Sequence, residues 1–168
     1  MSVTQTDVIV VGGGIMGAAT AFFLRKRGLS VALLERDLVG QKASGTNFGN
    51  VRRQGRFLPQ MPLSHRARAI WGRMPELIGE DAEFIPTGGL RVAMRQDDVG
   101  RIEQYARDAR EWGLELELIS ANALRASFPF LSPEAVMGSL SPEDGHANPR
   151  LAAPAFGLIL LFIILPFV

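Results

Sequence analysis

With 168 residues and a formal net charge of +1, the chain is about one domain long and has no charge excess to draw a nucleic acid or another polyanion. It contains no cysteine, which excludes disulfides, thiolate metal sites and thiol nucleophiles and fits a reducing, cytoplasmic compartment. The opening MSVTQTD has no basic region, and the apolar run after it extends only from Val8 to Val11, so no secretory signal is expected.

Val8 to Val11 is a short β-branched run, the pattern of a strand buried on both faces of a parallel sheet. Gly12, Gly14 and Gly17 follow at G-x-G-x-x-G spacing, and AATAFFLRKRG then reads as a helix. Its apolar face runs through Ala18 and Phe22, basic residues gather near its end, and Gly28 stops it. SVALLE reads as a second buried strand ending in Glu35. Strand, glycine turn, helix, strand and acid form a Rossmann-like βαβ unit of the α/β class. In a dinucleotide site each part has a task. Gly12 makes the tight turn, Gly14 lets a pyrophosphate approach the backbone, and Gly17 lets the helix pack close to the strand. Free N–H groups at the helix start attract phosphates, and Glu35 accepts hydrogen bonds from a ribose. A P-loop fits worse, because Ala18 and Ala19 stand where Lys and Ser or Thr would be needed.

This fingerprint does not by itself separate FAD from NAD. Residues 36–62 then show neither helical nor strand periodicity and are rich in Gly, Ser, Thr, Asn and Arg. A long irregular loop of this kind suits an extended ligand and favours FAD.

Further on, Leu63 to Ile78 has a helical period that Pro75 interrupts. AEFIPTGGLRVAM reads as strand, turn and strand, bent at Gly88 and Gly89. DDVGRIEQYARDAREWG is an amphipathic helix stopped by Gly113, with Ile102, Tyr105, Ala109 and Trp112 on one side. LELELI alternates as a strand, Ser120 caps a short helix ending before Pro129, and AVMGSLS is a further strand. The helical spacing of Trp71, Tyr105 and Trp112 predicts core positions. His65 and His146 stand alone, no cluster has metal-ligand spacing, and there is no G-x-S-x-G nucleophile. No catalytic residue is assigned and no metal is expected.

Four stretches together, DVIVVGGGIMGAATAFFLRKRGLSVALLER, ASGTNFGNVRRQGR, PTGGLRVA and SPEDGHANPRL, resemble the D-amino-acid oxidase-like (DAO) family of FAD-dependent oxidoreductases. That family includes glycine, sarcosine and D-amino-acid oxidases and opine oxidase subunits. The resemblance implies that Gly12, Gly14 and Gly17, with Ile15 and Met16 between them, hold the pyrophosphate of FAD. It further implies that Glu35 holds the adenosine ribose and that Arg36 lies beside the adenine. Ser44, Gly45, Thr46 and Asn47 would form the loop that passes the pyrophosphate, and Arg52 or Arg56 would pair the carboxylate of a small amine or amino-acid substrate. The organisation it implies is an FAD-binding unit and flavin loop over 1–62, then the start of an antiparallel α+β substrate-binding part and the return to the FAD domain over 63–150.

Leu151 to Val168 contains no charged or polar residue. Three readings of this tail stand open: unrelated sequence ending a truncated chain, a membrane contact through 157–168, or an interface with a partner subunit. Eighteen residues would rise about 27 Å as a helix, just short of a bilayer core of about 30 Å. The resemblance covers only the N-terminal part of the family's usual length. The expectation is therefore an incomplete FAD domain lacking the next sheet strand, with weak or no FAD binding and no turnover by itself.

Overall fold

A computed structural model describes residues 5–157 and the backbone of 162–164. The elements in chain order are β1 (Val8–Val11), α1 (Ile15–Lys26), β2 (Val31–Glu35), β3 (Asn50–Val51), a 3-10 turn (Leu58–Gln60), α2 (Met61–Trp71), α3 (Met74–Ile78), β4 (Gly89–Ala93), α4 (Gln96–Glu111), β5 (Glu117–Ser120), α5 (Ala121–Ser127), β6 (Met137–Ser141), β7 (Gly145–His146), α6 (Pro149–Gly157) and β8 (Phe162–Ile164). They form two units. One comprises residues 1–50, 73–84 and 147–168, the other residues 51–72 and 85–146.

The first unit begins as the sequence predicts. β1 and β2 pair in parallel, Val8 opposite Val31 and Val11 opposite Leu34. α1 connects them, which a parallel pair requires. Its buried residues are Ala18, Ala21 and Phe22, and Ala21 packs with Val31 and Leu33. Leu33 is 1% exposed, and burying such a side chain is worth about 1.5–3 kcal/mol. Gly28 follows the helix at φ +88°, a conformation that suits glycine.

The expected burial of β1 on both faces is corrected. Val8 and Val10 pack against the core, but Ile9 and Val11 are exposed, because among the described residues no element covers that face.

The end of the chain also departs from expectation. Pro149–Gly157 is a helix with Pro154 inside it, and its Phe156 packs edge-on to Phe22 at a centroid distance of 5.5 Å. The backbone of β8 then pairs in parallel with β2, Leu33 opposite Phe162 and Glu35 opposite Ile164. The sheet order is β1-β2-β8, so a strand does stand beside β2, where the sequence reading expected none. Residues 158–161 and 165–168, part of the segment read as a membrane contact, lie outside the described residues. Among the described residues no helix is long and apolar enough to cross a membrane.

The second unit centres on an antiparallel sheet of order β4-β6-β5, with α4 on β4 and β6. Met61, Ala109, Leu114 and Leu116 form its core, joined by Leu58, Tyr105 and Ala106. α5 presses Leu124 so close to β6 that a side chain on Gly138 would lie 2.9 Å from it.

Several local expectations are corrected here. The helix predicted over 63–78 is two helices: α2 starts at Met61, inside the stretch read as irregular, and Pro75 opens α3 where no N–H is needed. The strand–turn–strand over 82–94 is no hairpin. β4 pairs with β6, while Ile85 makes a single bridge to His146. Two glycines permit a bend but do not choose the strand's partner; the cross-strand contacts do. Trp112 is 40% exposed and so no core residue, because α4 ends at Glu111 and the chain turns away at Gly113.

Candidate functional site

The first unit assembles the glycine turn expected at Gly12, Gly14 and Gly17. Gly12 sits at φ +101° and donates its N–H to the carbonyl of Leu34 at 2.8 Å. α1 starts after Gly14, which serves as its N-cap and has no side chain of its own to cap it. A side chain on Gly17 would collide with the carbonyl of Gly12, so glycine there lets the helix start lie against the strand end.

Two distant side chains converge on this turn. Glu35, at the end of β2, accepts the N–H of Gly13 at 2.6 Å and that of Asp37 at 2.9 Å. These bonds, Asp37 first and Gly13 second, hold its carboxyl below the ordinary value of 4.5. The hydroxyl of Ser44 accepts the N–H of Ile15 at 2.9 Å, so the first turn of α1 is capped from the loop. A side chain on Gly14 would lie 3.0 Å from that hydroxyl, and one on Gly13 would lie 3.1 Å from the Glu35 side chain. Gly17 thus admits no side chain, and Gly13 and Gly14 admit one only if Glu35 and Ser44 give way. A helix N-terminus with bare glycines, a hydroxyl and an acid at the neighbouring strand end is the donor and acceptor set that a pyrophosphate and a ribose need. These residues fit the ADP half of FAD.

The other predicted residues take separate places. Met16 is 79% exposed beside the turn. Arg36 is exposed and lies 3.8 Å from Asp37. Gly45 is buried, and a side chain there would meet the carbonyl of Gly40. Thr46 donates to the carbonyl of Lys42, and Asn47 donates to the carbonyls of Ala43 and Ser44, so both brace their own loop. Arg52 and Arg56 belong to the second unit. Arg52 donates from Nη1 to the carbonyl of Gln54 at 3.1 Å, and Arg56 donates from Nε to the carbonyl of Arg52 at 2.9 Å. Among the described residues no group of three or more His, Asp or Glu is placed to hold a metal ion.

Sequence reasoning missed three contributors. Gly13, the unassigned middle glycine, supplies the N–H that Glu35 accepts. Gly40 donates its N–H to the carbonyl of Gly13 at 2.9 Å and holds the loop against the turn. In the second unit, Asp144 is fully buried. Its Oδ2 accepts the N–H groups of Arg53 and Gln54 at 2.8 and 2.9 Å, and its Oδ1 accepts Arg53 Nε at 3.1 Å. The Gln54 amide also bonds Ser139, so the loop from Arg52 to Arg56 is pinned to the sheet. The only signal in the sequence was the SPEDG stretch carrying Asp144, whose partners lie about ninety residues away.

The sequence profile of the family described as FAD dependent oxidoreductase, DAO, matches residues 7–158. The chain belongs to this family. Among its DAO relatives is a component subunit of the anaerobic glycerol-3-phosphate dehydrogenase of Escherichia coli (strain K12), 31% identical over 150 residues, which cover 89% of this chain and 27% of that protein. The glycine oxidase of Geobacillus kaustophilus (strain HTA426) is 30% identical over 156 residues, covering 88% of this chain and 41% of the enzyme. The crystal structure of L-proline dehydrogenase from P. horikoshii superposes with a TM-score of 0.84 at 26% identity, over 92% of this chain and 41% of that one. The chain thus spans between about a quarter and two-fifths of the length of these relatives. The parallel βαβ start and the antiparallel sheet of the second unit are the corresponding portion of the DAO fold.

Proposed function

We propose that the chain grips the ADP half of FAD in an oxidoreductase that removes a hydride from the carbon beside the nitrogen of a small amine or amino acid. The carrying observation is the convergence of Glu35 and Ser44 on the glycine turn at the start of α1. In this reading the N–H groups of Met16 and Gly17 face the pyrophosphate, Ser44, whose oxygen accepts the Ile15 N–H, turns its hydroxyl hydrogen to the same group, and Glu35 accepts the ribose hydroxyls. Arg52 or Arg56 pairs the substrate carboxylate. FAD, when bound, supplies the hydride acceptor, and the protein supplies orientation and electrostatics. The glycine turn binds and aligns, Glu35 stays ionised at neutral pH, and no side chain of this chain is assigned a proton-transfer role. Turnover in this reading draws on the further length that the relatives have, so the 168 residues alone bind FAD weakly and reduce no acceptor.

A second reading makes the chain a nucleotide-binding subunit completed by a partner. It is favoured by the relative named as a dehydrogenase subunit. Co-purification of a second polypeptide, with activity only in the complex, would select it.

The test is an FAD titration of the purified chain followed by flavin fluorescence, with Glu35→Ala alongside. Amine-dependent dye reduction is then assayed with glycine, sarcosine, proline and D-amino acids. Saturable FAD binding that Glu35→Ala weakens is expected. Binding indifferent to that substitution overturns the site, and robust turnover by the chain overturns the division of labour.

A further inference from the structure

The second unit carries a basic cluster that the cofactor reading does not use. A cavity of about 360 Å³ opens between β4 and α4, lined by Arg91, Val92, Asp98, Arg101, Ile102 and Tyr105. Asp98, Arg101, Ile102 and Tyr105 recur at i, i+3, i+4 and i+7 and share one face of α4. Arg91 comes from β4, an edge strand of the sheet. The hydroxyl of Tyr105 donates to the carbonyl of Arg56 at 2.9 Å, which fixes the ring.

Arg52, from the neighbouring loop, comes close to Arg91 at Gly55. A side-chain carbon on Gly55 would lie 3.2 Å from Nη1 of Arg52 and 3.3 Å from Nη1 of Arg91. The two guanidinium groups therefore lie close to each other, both against the bare Cα of Gly55. Their charges are not matched there. Among the described residues Arg52 donates to the neutral carbonyl of Gln54 and neither it nor Arg91 has a carboxylate partner. Arg101 is paired with Asp98. Two like charges brought together in this way repel, and an oxyanion between them turns the repulsion into two charge-assisted hydrogen bonds. Beside them lie Val92, Ile102 and the ring of Tyr105, an apolar wall for the body of a small ligand.

We propose that Arg52, Arg91 and the Asp98-paired Arg101 form a binding site for a small ligand carrying an oxyanion, phosphate or carboxylate, with its apolar part on Val92, Ile102 and Tyr105. The site shares Arg52 with the substrate reading above but needs neither flavin nor turnover, so the two stand or fall separately.

The test uses the full chain without FAD. Inorganic phosphate and acetate are titrated by calorimetry at constant ionic strength, and the tighter probe identifies the headgroup class. Arg91→Ala weakens binding at least about tenfold, as the loss of a charge-assisted hydrogen bond requires. Arg95→Ala changes the net charge equally outside the cavity and leaves affinity within about twofold. Should Arg91→Ala fail to fold, Arg91→Gln and Arg101→Ala carry the same expectation. No saturable binding of either anion, or equal weakening by Arg91→Ala and Arg95→Ala, overturns the site.

Discussion

Asp144→Asn is expected to destabilise the second unit by about 3 kcal/mol. The carboxylate is fully buried and accepts three hydrogen bonds, two from backbone N–H groups and one from Arg53 Nε. Asparagine keeps one oxygen for the two backbone donors, but its amide nitrogen then faces the guanidinium, donor against donor. The Arg53 side chain is 10% exposed, so its charge loses its buried counterion. Breaking a buried pair costs about 3–5 kcal/mol, and the lower end applies because Glu143 still contacts Arg53 Nη2 at 2.9 Å. Glu143 itself is 65% exposed, so Glu143→Gln costs no more than about 1 kcal/mol. The assay is urea unfolding followed by the fluorescence of Trp71 and Trp112, which both belong to the second unit. At a denaturant dependence of about 2 kcal/mol per molar, Asp144→Asn lowers the midpoint by about 1.5 M and Glu143→Gln by less than about 0.5 M. A midpoint for Asp144→Asn within the Glu143→Gln shift would show that the buried carboxylate does not organise this loop.

Gly17→Ala drives a methyl into the carbonyl of Gly12 and costs about 1–3 kcal/mol, and it abolishes FAD binding as the turn opens, read by melting and by FAD titration. Ser44→Ala removes the acceptor of the Ile15 N–H and lowers stability by about 0.5–2 kcal/mol, measured by denaturation without ligand. Glu35 carries a pH dependence. Its folded value lies below 4.5, so its stabilising bonds to Asp37 and Gly13 are intact above that value and are lost as pH falls through the lowered one. The pH dependence of wild-type melting below 4.5 is therefore steeper than that of Glu35→Gln; parallel curves refute the assignment. Leu33→Ala, at a position 1% exposed, costs about 2–5 kcal/mol in the same unfolding assay.

The turn and its neighbours were legible because their signals are local. Glycine at 12, 14 and 17, a β-branched run before them and Glu35 at the end of the next strand lie within about thirty residues, and backbone sterics alone give that order a meaning. Ser44 was assigned to this region by family resemblance; its bond to Ile15 came from the fold. The amphipathic helix through Ile102 and Ala109 and the alternating strands of the second unit were equally readable, since periodicity is a property of neighbours.

What the tertiary structure decided was who meets whom across the chain. Asp144 reads as one more acid in a turn until the fold brings Arg53 and Gln54 to it, and the arginines around Gly55 read as loop charge until β4 and α4 flank them. The partners of a strand edge follow the same rule. Gly89–Ala93 had a hairpin partner available nearby yet pairs with β6, and the backbone of 162–164, in a stretch whose composition fits a membrane as well as a core, lies beside β2. Composition and period state which surfaces must leave water; only the assembled packing selects the surface each one finds.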